Sequence, residues 1–124
     1  MEKLNHPAIL VVDMLNDFVT GAIGCDRARA IVPATARLLA AAREKGVPVI
    51  YCNDCHLPGI DRELQIWGDH AIKGTPGAEV IPELTPQPCG TGFSLFFPLL
   101  FPIMKVPPST LIILNDALPT LNTR

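Results

Sequence analysis

Ala8-Ile-Leu-Val-Val12 is an unbroken apolar run, rich in β-branched residues, that stops at Asp13. A half-buried strand alternates apolar and polar positions. A run with no polar position predicts a strand buried on both faces, as in parallel sheets covered by helices. The next apolar run of this kind, Val47-Pro-Val-Ile-Tyr51, lies beyond a helix-forming stretch from Ala34 to Lys45. Pro33 suits the first turn of that helix, where a missing N–H costs nothing. Leu38, Leu39 and Ala42 lie near one face, Arg43 and Lys45 fall in the last turn, and Gly46 is a ready C-cap. Strand, helix and strand in this order imply a crossover between parallel strands.

Ligand sites in such sheets lie beyond the carboxyl ends of the strands. Asp13 and the segment Asn53–His56 occupy those two ends. Asp54 and His56, two apart in an extended segment, point the same way. His70, on the polar loop-like stretch from Leu57 to Pro76, would complete a set of two imidazoles and a carboxylate with positions left open for water or substrate. The plainer alternative is two ordinary surface histidines. Asp13 reads as a general base or orienting carboxylate, or else as a cap on the following turn. Asp17 reads as a turn or cap residue. Trp67, the single tryptophan, either lines a pocket or covers the core. Gly74 to Gly77 reads as a turn, and Gly77 to Leu84 as a short helix.

The 124 residues provide for one small domain, with 48% apolar residues to build its core. A net charge of −2 without basic runs gives no reason to expect nucleic acid or an anionic membrane as partner. No apolar stretch approaches the roughly 20 residues of a membrane helix, and Met1–Pro7 has no signal-peptide pattern. The expectation is a cytoplasmic protein with its four cysteines reduced. Cys52-Asn-Asp-Cys55-His56 matches the pattern for covalent haem attachment, but that chemistry accompanies export, and Cys52 reads as a core residue. Residues 86–124 hold only three charged side chains (Lys105, Asp116, Arg124) and seven of the thirteen prolines. A boundary is therefore expected after Leu84, with 1–84 forming one unit and 85–124 an atypical apolar segment. Thr110–Leu114 is a candidate third strand.

Four stretches together resemble the isochorismatase-like cysteine hydrolases, which include the nicotinamidases. They are Leu10-Val-Val-Asp-Met-Leu-Asn-Asp-Phe18, Gly46-Val-Pro-Val-Ile-Tyr51, Asn53-Asp-Cys-His56, and the run from Trp67-Gly-Asp-His70 through Gly74-Thr-Pro-Gly-Ala-Glu79 to Pro82. The resemblance implies an α/β, Rossmann-like three-layer fold around a parallel sheet, here incomplete. It also implies hydrolysis of a small amide-type substrate by a Cys, Asp and Lys triad. By the same resemblance, Asp13 matches the catalytic aspartate, and Asp54, His56 and His70 match the ligands of a divalent metal (zinc, iron or manganese). Phe18 and Trp67 match aromatic residues lining the substrate pocket. No organic cofactor is implied, and homo-oligomers are common in the family.

The resemblance breaks in the last third. Phe93-Ser-Leu-Phe-Phe97 echoes the segment that follows the family lysine, but Gly90 stands at the lysine's place. Lys105 is followed by the wrong residues. No cysteine follows Thr110–Leu114, and Cys89 lacks the strand-to-helix context of the nucleophile. The thiolate is the nucleophile in this chemistry, and Asp13 cannot replace it. The expectation is a truncated or frameshifted, inactive hydrolase. The alternatives are a non-catalytic metal-binding or interaction module, and a relocated nucleophile at Cys89.

Overall fold

The computed structural model describes residues 7–87 and the backbone of a strand at 110–114. Strand β1 (Ala8–Val12) leads into a single helical turn, α1 (Asn16–Val19), and then into the long helix α2 (Asp26–Glu44). Strand β2 (Val49–Cys52) follows, then the one-turn helix α3 (Leu64–Trp67). Two 3₁₀ turns at Pro76–Ala78 and Pro82–Leu84 stand where a short helix was expected. Val80 lies between them and bridges antiparallel to Leu15, so this stretch runs as an extended link between two prolines.

The sheet order is β2-β1-β3, with β3 at Thr110–Leu114. β1 and β2 are parallel, with Ile9 opposite Val49 and Val12 opposite Cys52, as the strand–helix–strand pattern requires. β3 forms where the third strand was expected, but it pairs antiparallel with β1, Ala8 lying opposite Leu114. An antiparallel strand at the edge of a parallel sheet is a common variation. β1 is central in this sheet, and Ala8, Ile9, Val11 and Val12 are all buried, in keeping with its unbroken apolar run.

Helix α2 covers the sheet with Ala28, Thr35, Leu39 and Ala42, a spacing that keeps all four on one face. Ala28, Leu39 and Ala42 pack with Ile9, Val11, Val49, Tyr51, Ile81 and Leu84 into the main core. Pro33 does not open this helix; it sits inside it. Pro33 and Arg29 are both exposed, so water can take the bond that the Arg29 carbonyl loses to the proline. The helix ends as anticipated, with Gly46 at φ 67°, a left-handed conformation that glycine adopts without strain. Tyr51 donates its hydroxyl to the Leu84 carbonyl at 2.7 Å, and Arg43 reaches both Tyr51 and the Thr85 carbonyl. These bonds close the far end of the 3₁₀ segment onto the sheet and α2. Among the described residues, no helix is long and apolar enough to cross a membrane. The expectations for Cys89, Gly90, Phe93–Phe97 and Lys105 lie outside the described residues.

Candidate metal and hydrolytic site

The two parallel strands end side by side, and their last backbone bond, Asp13 N–H to the Cys52 carbonyl at 3.0 Å, brings the two acids beyond them together. Asp13 then adopts φ 51°. This left-handed conformation is uncommon outside glycine but tolerated by aspartate. Asp13 Oδ1 accepts the Asp54 N–H at 2.7 Å, a bond across 41 residues. The Asp13 carboxylate thereby ties the end of β1 to the segment after β2. Burial pushes its carboxyl up to about 7; the Asp54 N–H opposes this shift, and the Asp54 carboxylate adds to it. A carboxyl that titrates near neutrality is suited to passing protons at physiological pH.

Asp54, His56 and His70 converge. One donor atom from each lies within 4.8 Å of the others. The imidazole rings of His56 and His70 meet edge-on, with centroids 4.7 Å apart. His70 Nδ1 lies 2.7 Å from the Gly68 carbonyl, which only accepts, so Nδ1 is the donor in that bond and Nε2 is the ring nitrogen it leaves unengaged. His56 Nε2 is 3.3 Å from Asp54 Oδ2, yet it is buried and makes no hydrogen bond. Such an orphaned nitrogen is costly, at about 1–3 kcal/mol, unless something else meets it.

That geometry fits a cation. Bonds of 2.0–2.1 Å in a tetrahedral shell place neighbouring donors about 3.4 Å apart. The Asp54–His56 pair already has that spacing, and a modest contraction would bring His70 into line. Two imidazoles and a carboxylate form a donor set for zinc, iron or manganese. Asp61, which the sequence reading passed over, lies 3.4 Å from His56 Nδ1 and accepts the Leu57 N–H at 2.7 Å. A carboxylate behind a ligand histidine fixes its tautomer and ring orientation. The only sequence signal was its position in the turn just after His56.

The two aromatic candidates part company. Phe18 is buried and presents a T-shaped contact to the His70 ring, centroid to centroid 5.6 Å. Trp67, on α3, is 64% exposed. Cys25, Cys52 and Cys55 are free thiols. Burial pushes the Cys52 thiol up, and the nearby carboxylates of Asp13 and Asp54 push it further. That environment suppresses the reactive thiolate.

The fold that carries this site has counterparts among known proteins. A family model described as the isochorismatase domain matches residues 7–93. The chain belongs to the isochorismatase family. An Arabidopsis thaliana relative described as a probable inactive nicotinamidase is 33% identical over 91 residues, covering 64% of this chain and 46% of that protein. Among solved isochorismatase-like structures, N-carbamoylsarcosine amidase from Thermoplasma acidophilum is 38% identical with a TM-score of 0.61. It matches 71% of this chain and 49% of its own. The pyrazinamidase of Pyrococcus horikoshii, solved in complex with zinc, is 27% identical with a TM-score of 0.56, over 70% of this chain and 48% of that one. The isochorismatase-family chain thus spans about half the length of the relatives it matches.

Proposed function

We propose that this chain presents the carboxylate and metal-holding half of an amidase-type hydrolytic site. The observation that carries the reading is the convergence of Asp54, His56 and His70 around an orphaned His56 nitrogen, with Asp13 bonded to the backbone of Asp54. Zinc in the similar pyrazinamidase structure supports it. Asp54 Oδ2, His56 Nε2 and His70 Nε2 would hold a divalent cation. Such an ion, when bound, polarises a carbonyl oxygen or activates a water. Asp13, with its carboxyl near neutrality, accepts or returns a proton at its carboxylate oxygen. Phe18 backs the His70 ring, and the exposed Trp67, three residues before His70, would contact the substrate.

The same proposal denies the chain turnover of its own. Gly90 stands where the family lysine is expected, and no cysteine follows Cys89. Cys52 is held in its thiol form. A lone member of a catalytic triad supplies little of the triad's acceleration. The reading is therefore a cation-binding protein of hydrolase ancestry. Self-association, which the family resemblance implies, is to be checked by light scattering.

The test is calorimetric titration of the full chain with zinc or manganese, together with ammonia release from nicotinamide and other small amides. Binding of one cation without turnover is the expected outcome. Absence of cation binding would remove the metal reading. Turnover that disappears in Asp13→Ala would reveal a nucleophile in the chain and overturn the inactivity.

A further inference from the structure

We propose that Asp17 is a positioning residue for His70, acting through the backbone of Ala71, and that Gly21 and Gly77 are glycines because the Asp17 carboxylate fills the space beside them. The functional meaning of this rests on the metal-holding reading above; its geometry does not.

His70 is fixed to its own loop by the bond from Nδ1 to the Gly68 carbonyl. That bond moves with the loop and cannot place the ring relative to Asp54 and His56. The ties to the sheet are made one residue later, at Ala71. Its carbonyl accepts the His56 N–H at 2.9 Å, and its N–H donates to Asp17 Oδ2 at 2.9 Å, across 54 residues. Ala71 is thereby pinned between the segment after β2 and the turn after β1. It is fully buried and has φ 44°. Only Asp13 and Ala71 among the described non-glycine residues have positive φ. Alanine has no local side-chain bond to favour that conformation, so the surroundings must impose it. Asp17 supplies the acceptor that does so.

The carboxylate is enclosed as well as bonded. Asp17 Oδ1 also accepts the Ala22 N–H at 3.4 Å, so a turn role coexists with the long-range one. A Cβ at Gly77 would fall directly on the Asp17 carboxylate, and one at Gly21 would crowd Oδ1 and the Asp17 backbone. Neither glycine has the positive φ that would otherwise demand glycine. Space around Asp17 is the physical reason for both. Asn16 strengthens the same clamp by donating its side-chain N–H to the Pro76 carbonyl at 2.8 Å.

The experiment compares the full-length wild type with Asp17→Ala, Asp17→Asn and Gly77→Ala. In the metal-free proteins, NMR follows the His70 ring resonances and the exchange of the Ala71 amide. Zinc affinity is then measured by competition with a chelator dye. In Asp17→Ala the His70 resonances should shift, Ala71 exchange should accelerate at least tenfold, and zinc affinity should fall roughly 10- to 100-fold, as for loss of other outer partners of metal ligands. Asp17→Asn keeps one acceptor oxygen and should recover most of the affinity. Gly77→Ala leaves Asp17 in the chain but displaces its carboxylate, and should reproduce the Asp17→Ala changes. It also carries the test if Asp17→Ala does not fold. A purely structural role would lower stability while leaving the His70 resonances and the zinc affinity of the folded protein unmoved, and that result would overturn the proposal. If the wild type binds no zinc, the metal reading fails, and the NMR arm still decides the role of Asp17.

Discussion

The β1–α2–β2 unit and the segment from His56 to Ile81 are held in opposite ways. The first is bound by area: Ile9, Val11, Leu39, Ala42, Val49 and Tyr51 form one continuous core. The second has few buried apolar side chains and is tied down at single points. Among them are His56 N–H to Ala71, Ala71 N–H to Asp17, Asn16 to Pro76 and Glu79, and Ile81 N–H to Met14. Apolar burial is non-directional and tolerates small errors of placement. Hydrogen bonds are directional, so a few of them can fix the position of a ring such as that of His70. The frame thus gains stability from many weak contacts, and the site gains precision from a few specific ones.

The largest effect that would sharpen this contrast comes from Asp13, at the junction of the two regions. Burial raises its carboxyl from 3.8 to about 7, so the folded protein holds the proton more tightly than the unfolded chain does. Its contribution is fully present below about pH 4 and is lost as the pH rises through 7. We expect up to about 4 kcal/mol of stability to disappear across that window in the metal-free protein. Urea unfolding at a series of pH values measures it, and Asp13→Asn should flatten the curve. Equal slopes for wild type and variant would show that the buried acid carries no such linkage.

Next in size is Leu39→Ala, which removes a fully enclosed side chain from the frame. A loss of about 3 kcal/mol is expected, with the zinc affinity of the folded protein unchanged. If zinc binding weakened in step with stability, the two regions would not be independent.

Asp61→Asn should do the reverse. It weakens the carboxylate behind His56 Nδ1 but keeps an acceptor for the Leu57 N–H. Zinc affinity should drop roughly tenfold, and stability should change by no more than about 0.5 kcal/mol. Zinc binding equal to that of the wild type would remove Asp61 from the site.

The frame was more legible in the sequence than the site, for the same physical reason. Strand β1 was readable from its apolar run, and β2 from a run displaced by only two residues at its start. The parallel pairing followed from the helix between them. The reading failed locally at Pro33, because tolerance of proline inside α2 depends on which face meets solvent. It also failed at Gly77–Leu84, where two prolines and the pairing of Val80 with Leu15 favour extended chain over helix. The direction of β3 could not be read from Thr110–Leu114, since its composition suits either pairing. In the site, the shared orientation of Asp54 and His56 follows from the two-residue period of extended chain. Asp61 and the reach of Asp17 carried no periodic signal.

By itself, the sequence determined the parallel βαβ unit, the acid at each strand end and the pairing of Asp54 with His56. Each of these depends on a local period of apolar or polar positions, and such periods survive in any window of the chain. Tertiary structure alone decided how closely His70 meets them, that Asp13 is buried enough to titrate near neutrality, and that Asp17 holds Ala71. Those outcomes depend on partners 41 and 54 residues apart meeting across the sheet end, and no local pattern encodes which distant N–H a carboxylate will find.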